Sequence, residues 1–95
     1  MAAYIVATVS ISDPETFSLY SRAIAGLSER HGGEAVVKGP VAEILEGPGQ
    51  VGERVVVSRY PDGASARAYI ASAEYQAARV LRDGAAEVTM RLLVD

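Results

Sequence analysis

Residues 4 to 11 alternate between two faces. Ile5, Ala7, Val9 and Ile11 lie on one side, Tyr4, Val6, Thr8 and Ser10 on the other. This period of two predicts a strand, and because the second face is only half polar, it is expected to be covered as well. Asp13-Pro14-Glu15 reads as a helix start: Asp13 can cap free backbone N–H groups, and proline at the first helical position loses no hydrogen bond. Phe17, Tyr20, Ile24, Leu27 and His31 then recur at spacings of three and four. That stripe predicts one amphipathic helix running to His31 and stopping at Gly32.

Glu34 to Glu46 reads as a long second strand interrupted at Gly39-Pro40, where proline's missing N–H implies a bulge or an edge position. Gly47-Pro48-Gly49-Gln50-Val51-Gly52 is a turn, and Glu53 to Tyr60 is a third strand centred on Val55-Val56-Val57. Asp62 caps a second helix that runs to about Ala71. Ser72 is a fresh N-cap, with Glu74 in the first turn of a further helical segment ending near Asp83-Gly84. Glu87 to Val94 alternates again, with Val88, Met90, Leu92 and Val94 on one face.

The order β-α-β-β-α-β has a simple α+β solution, the ferredoxin-like sandwich of four antiparallel strands with both helices on one face. One domain is expected over residues 1–95. The helices bury only one sheet face, so Tyr4, Val6 and parts of the valine-rich strands would face water on the other. An apolar face of that kind usually marks an interface, which predicts a homodimer with its sheets packed face to face.

Composition narrows the function classes. A net charge of −3 gives no electrostatic reason to expect nucleic acid, and no apolar run approaches the ~18 residues that would span a membrane. No signal peptide is visible at Met1-Ala2-Ala3-Tyr4, so a cytoplasmic location is expected. With no cysteine there is no thiol nucleophile and no zinc-thiolate site, and no metal or cofactor is expected. Arginine outnumbers lysine eight to one, a composition that suggests a GC-rich bacterial genome. Although the segment Gly47 to Gly52 superficially resembles a dinucleotide fingerprint, it joins two strands and opens no helix.

Several pieces together resemble the family catalogued as domain of unknown function 1330. They include Asp13-Pro14 with Phe17 and Tyr20, His31-Gly32-Gly33, Lys38-Gly39, Leu45-Glu46-Gly47, Arg54-Val55-Val56-Val57, Tyr60-Pro61, Ala66 with Tyr69, Ser72-Ala73-Glu74-Tyr75-Gln76, and Arg82. Lys38 stands where the family usually has arginine, and Ala73 where proline is common. The resemblance implies the dimeric α+β barrel form of the ferredoxin-like fold. The wider group includes cofactor-free monooxygenases, lactone isomerases, polyketide cyclases and haem-degrading enzymes, and holds small molecules between the sheet and helices of each subunit.

His31, whose ordinary pKa lies near neutrality, is the natural general base, or else a capping histidine bonded to backbone carbonyls. Glu46 and Arg54 flank the hairpin turn and read either as a cross-strand ion pair or as a polar pair orienting a ligand. Tyr75, Ala78 and Arg82 share a helical face, and with Tyr20 and Tyr69 they would line a cleft. There Tyr75 or His31 would move a proton and Arg82 would hold developing negative charge. The alternative for this set is an aromatic core edge, with Arg82 paired to Glu74 or a neighbouring carboxylate. The expected ligand is a small, mostly apolar organic metabolite, handled by proton-transfer isomerisation or cyclisation or by cofactor-free oxygenation. The rival expectation is a non-catalytic dimeric module that binds a metabolite or only assembles.

Overall fold

The computed structural model describes residues 1–95. Four strands, β1 (Ala3–Ile11), β2 (Glu34–Pro40), β3 (Arg54–Tyr60) and β4 (Ala86–Val94), form one antiparallel sheet in the order β2-β3-β1-β4. With the helices between β1 and β2 and between β3 and β4, this is the ferredoxin-like arrangement expected from the element order. β1 is buried at every second residue, Ala3, Ile5, Ala7 and Val9, and this face carries the helices.

Local capping starts the helices. Helix α1 (Pro14–Ala23) begins where the Thr16 N–H and hydroxyl donate to the Asp13 carboxylate, at 3.2 and 2.7 Å. Helix α3 (Gly63–Ala71) begins where the Ser65 N–H donates to Asp62 at 2.7 Å, and α4 (Ala73–Arg79) where the Tyr75 N–H donates to the Ser72 hydroxyl at 3.1 Å. Hydrogen bonds from the Thr16 hydroxyl and the Ser65 backbone N–H hold the Asp13 and Asp62 carboxyls, respectively, below the usual range. A 3-10 turn at Val80–Arg82 follows α4 and leads into β4.

Two boundaries differ from the sequence reading. The first helix does not run unbroken to His31. It ends at Ala23, Gly26 takes a left-handed φ of 77°, and a separate single turn α2 (Leu27–Arg30) follows before the stop at Gly32. The 3,4-spaced stripe carries across the break because Tyr20 and Leu27, one on each side of it, both reach the core. The second strand ends at Pro40 rather than near Glu46. The Val41 N–H still donates to the Glu53 carbonyl at 2.7 Å, closing a loop whose Leu45 and Val51 are exposed.

The core is a wedge between the sheet and the helices, and it is unusually rich in tyrosine. Tyr20, Tyr60, Tyr69 and Tyr75 all belong to it, beside Ile5 and Leu27. The opposite sheet face is uncovered: Tyr4, Val6 and Val57 are half-buried there, and Val37 and Leu93 are exposed. No helix is long and apolar enough to cross a membrane.

Candidate functional site

A cleft of about 400 Å³ opens between the helix-bearing sheet face and the α1–α2 segment. Strand alternation sends Ile5, Ala7 and Val9 of β1, Val56 of β3 and Met90 of β4 into it as an apolar floor. The roof is Phe17 and Tyr20 from α1 and Ile24 at its C-terminal cap, together with the Gly26 turn, so the helix break shapes the opening. The volume falls within the range of small-molecule sites.

The polar lining converges from three directions. Tyr60 and Tyr69 close one end, with rings stacked at 6.1 Å, and the Tyr60 and Ser28 hydroxyls are hydrogen bonded at 2.7 Å. Tyr69 also lines the cleft, and its hydroxyl is spent on no hydrogen bond within the chain; no side-chain polar atom of the fold is both fully buried and unpartnered. Glu29 of α2 stands at the helix side, and Lys38 and Arg54 at the β2–β3 side. Burial raises the pKa of the Tyr20, Tyr60 and Tyr69 phenols, so all three stay protonated near neutral pH and act as hydrogen-bond donors rather than bases. The negative charge of Glu29 adds to this at both Tyr60 and Tyr69.

Of the residues singled out in the sequence, Tyr20, Tyr69 and Arg54 line this cleft. Tyr75 and Arg82 do meet Tyr20, but behind the cleft wall. The Tyr75 hydroxyl accepts from Arg82 Nη1 at 3.0 Å and from the Tyr20 hydroxyl at 3.2 Å, and it donates to Met90 Sδ at 3.4 Å. The Arg82 guanidinium lies 4.6 Å from the centre of the Tyr20 ring, so its partners are phenols and not Glu74. His31 caps α2, its Nδ1–H donating to the Leu27 carbonyl at 3.1 Å, and its ring packs 5.8 Å from that of Tyr69 outside the cleft lining.

The pairing of Glu46 with Arg54 is corrected. Glu46 sits in the exposed loop after β2, while Arg54 faces Pro40 and Val9 across its two neighbouring strands. Glu29 and Lys38 reach the cleft without having been singled out as site residues. Glu29 lies off the apolar stripe of the first helix, and Lys38 is turned inward by a bulge between Ala35 and Val37. No group of three His, Asp or Glu side chains converges anywhere in the fold to hold a metal.

Solved structures share this architecture. A protein of unknown function from Rhodopseudomonas palustris is 23% identical, with a TM-score of 0.75 over 99% of this chain and 82% of that one. A dimeric ferredoxin-like protein of unknown function from Jannaschia is 14% identical, with a TM-score of 0.71 over the whole of both chains. SnoaB, a cofactor-independent oxygenase from Streptomyces nogalater, is 14% identical, with a TM-score of 0.67 over 99% of this chain and 92% of that one. At these identities the likeness is one of fold. No curated protein matches the chain. The model of one family does match, over residues 2–95, and the chain therefore belongs to the family described as domain of unknown function (DUF1330).

Proposed function

We propose that the protein binds a small, mostly apolar organic molecule in the cleft and acts on it by proton transfer, as an isomerase or cyclase or as a cofactor-free oxygenase. The observation that carries this reading is the convergence of an unspent phenol and a carboxylate on one apolar cleft, Tyr69 and Glu29 across from the β1 floor. Glu29 takes a proton from carbon beside a carbonyl, and the Tyr69 O–H donates to the oxygen on which the enolate charge develops. Arg82 acts only through Tyr75 and Tyr20, keeping the Tyr20 ring in place. A cofactor-independent oxygenase shares the fold, so this class of chemistry is compatible with it by fold analogy alone. A non-catalytic binding module is the second reading, favoured by the position of His31, the one side chain with a near-neutral ordinary pKa, outside the lining.

The test is a panel of enolisable aromatic ketones and phenols, screened by ligand-observed NMR in deuterated buffer. Val56→Trp should keep the circular dichroism spectrum and remove binding, since a large ring would fill the cleft from the floor. Glu29→Gln should keep binding and stop deuterium incorporation at the carbon beside the carbonyl. Binding that survives in folded Val56→Trp moves the site elsewhere, and deuterium exchange no faster than in buffer leaves only the binding module.

We also propose that two copies pack through the uncovered sheet face, as neighbours described as dimeric suggest. Tyr4, Val6, Val57 and Leu93 would then leave water. Light scattering should give twice the 10.0 kDa chain mass at micromolar concentration, and a monomer mass would reject this assembly.

A further inference from the structure

Lys38 is the chain's single lysine, and it shares the cleft with Arg54. On the paired strands Lys38 stands opposite Val56 and Pro40 opposite Arg54, so the two cations are diagonal neighbours on one face, about 7 Å apart at Cβ by the usual strand spacing. Neither side chain makes an ion pair or hydrogen bond within the chain, and the one carboxylate of the lining, Glu29, belongs to the opposite, helix side. Along β3 the cleft-facing residues run Arg54, Val56, Ser58, Tyr60. The cationic end and the tyrosine end are thus six residues apart, about 20 Å of extended backbone at ~3.3 Å per residue, of which the long lysine, arginine and tyrosine side chains can cover a large part. Between them the floor is apolar except for Ser58.

We infer that the ligand of this cleft is an elongated apolar acid whose carboxylate is bound jointly by Lys38 and Arg54, with an oxygen at its far end reaching Tyr69. The inference rests on the cleft being the binding site, as proposed above, and adds the charge and polarity of what binds there. Two cations on neighbouring strands suit a carboxylate because each of its oxygens accepts a charge-assisted hydrogen bond. A neutral isostere can use the same apolar floor but leaves both cations without a counter-charge. The separation of the polar ends favours a flat, fused or extended skeleton over a compact one.

The probe pair is 6-hydroxy-2-naphthoate and its neutral carboxamide, titrated at pH 7 by calorimetry into the wild-type protein and into Lys38→Met and Arg54→Met. Both substitutions are at exposed positions and should leave the fold intact. The carboxylate is expected to bind at least tenfold tighter than the amide. Each variant should reduce that ratio severalfold, weakening the acid far more than the amide, and 1 M salt should shrink it in the wild type, since the pair is solvent-facing. Equal affinities for acid and amide, or a preference that both variants retain, would overturn the carboxylate assignment and leave the cleft as a site for neutral molecules. Failure of both probes to bind at millimolar concentration would overturn the cleft as a binding site and the assignment with it.

Discussion

Gly33→Ala should lower the melting temperature by roughly 5–20 °C, far more than a single methyl usually does. Gly33 is buried at the entry to β2, and its N–H donates to the Ser28 carbonyl at 2.9 Å. An added Cβ would sit 2.8 Å from that same carbonyl oxygen and 2.8 Å from Tyr60 Cε2, and closer still to the Ser28 hydroxyl. Neither neighbour can yield cheaply. Tyr60 is only 1% exposed, and its hydroxyl is tied to Ser28, so relief means pushing α2 away from the sheet. Overpacking of this kind costs about 1–3 kcal/mol and sometimes more. In a domain of this size each kcal/mol shifts the midpoint by roughly 4–8 °C. Gly39→Ala is the control, because a Cβ there meets nothing within 4 Å. Thermal unfolding followed by circular dichroism should separate the two. Equal midpoints for both variants would mean that the α2–β2 corner is not closely packed.

The second large effect is expected at Tyr75. Its side chain is 2% exposed, its ring meets that of Tyr69 edge-on at 5.1 Å and that of Tyr20 at 6.3 Å, and its hydroxyl joins Arg82, Tyr20 and Met90. Tyr75→Ala removes an aromatic from the centre of the core and should cost about 3–5 kcal/mol. Tyr75→Phe keeps the ring contacts and should cost less, about 1–3 kcal/mol: solvent can reach the half-buried Arg82 in place of the lost acceptor, but the buried Tyr20 hydroxyl loses the oxygen it donates to. Because Tyr75 stands behind the cleft wall, Tyr75→Phe should leave the affinity for the hydroxynaphthoate probe within twofold. Denaturant titration and calorimetry read the two quantities independently. A stable Tyr75→Phe protein that no longer binds the probe would place the Tyr75 hydroxyl in the site.

What was legible in the sequence was whatever is decided locally. Asp13, Asp62 and Ser72 each cap the helix that follows, because a side-chain acceptor three residues ahead of an N–H needs no tertiary partner. The strand periods of β1 and β4 likewise survive in the structure. The break at Gly26 was hidden because a glycine inside a helical pattern costs only about 1 kcal/mol, too little to override the 3,4 stripe around it. The end of β2 was hidden for the opposite reason. Val41, Ile44 and Leu45 look strand-like, but the regular ladder with β3 ends at Pro40, and after the hydrogen bonds of Val41 to Gly52 and Glu53 the chain leaves it. The candidate site was half legible. Tyrosine at core spacing announced Tyr20 and Tyr69, and the same logic overreached to Tyr75, because spacing along a helix does not say which side of a wall a buried phenol lies on. Glu29 and Lys38 were beyond reach: one depends on how a separate helical turn is set, the other on an irregularity in strand pairing.

That irregularity bears on how chain length can vary among relatives. Between Ala35 and Val37 the second strand carries one more residue than the strand it pairs with, so Ala35, Lys38 and Pro40 share the cleft face although their numbers do not share a parity. In a regular strand, losing one residue would turn every following side chain inside out. Here, loss of Val36 would instead restore strict alternation and leave Lys38 opposite Val56, still facing inward. The position is therefore one where a single-codon deletion can pass through the lineage without removing the cation from the cleft, whereas a deletion in the regular pairing of β1 would turn its apolar side chains out of the core.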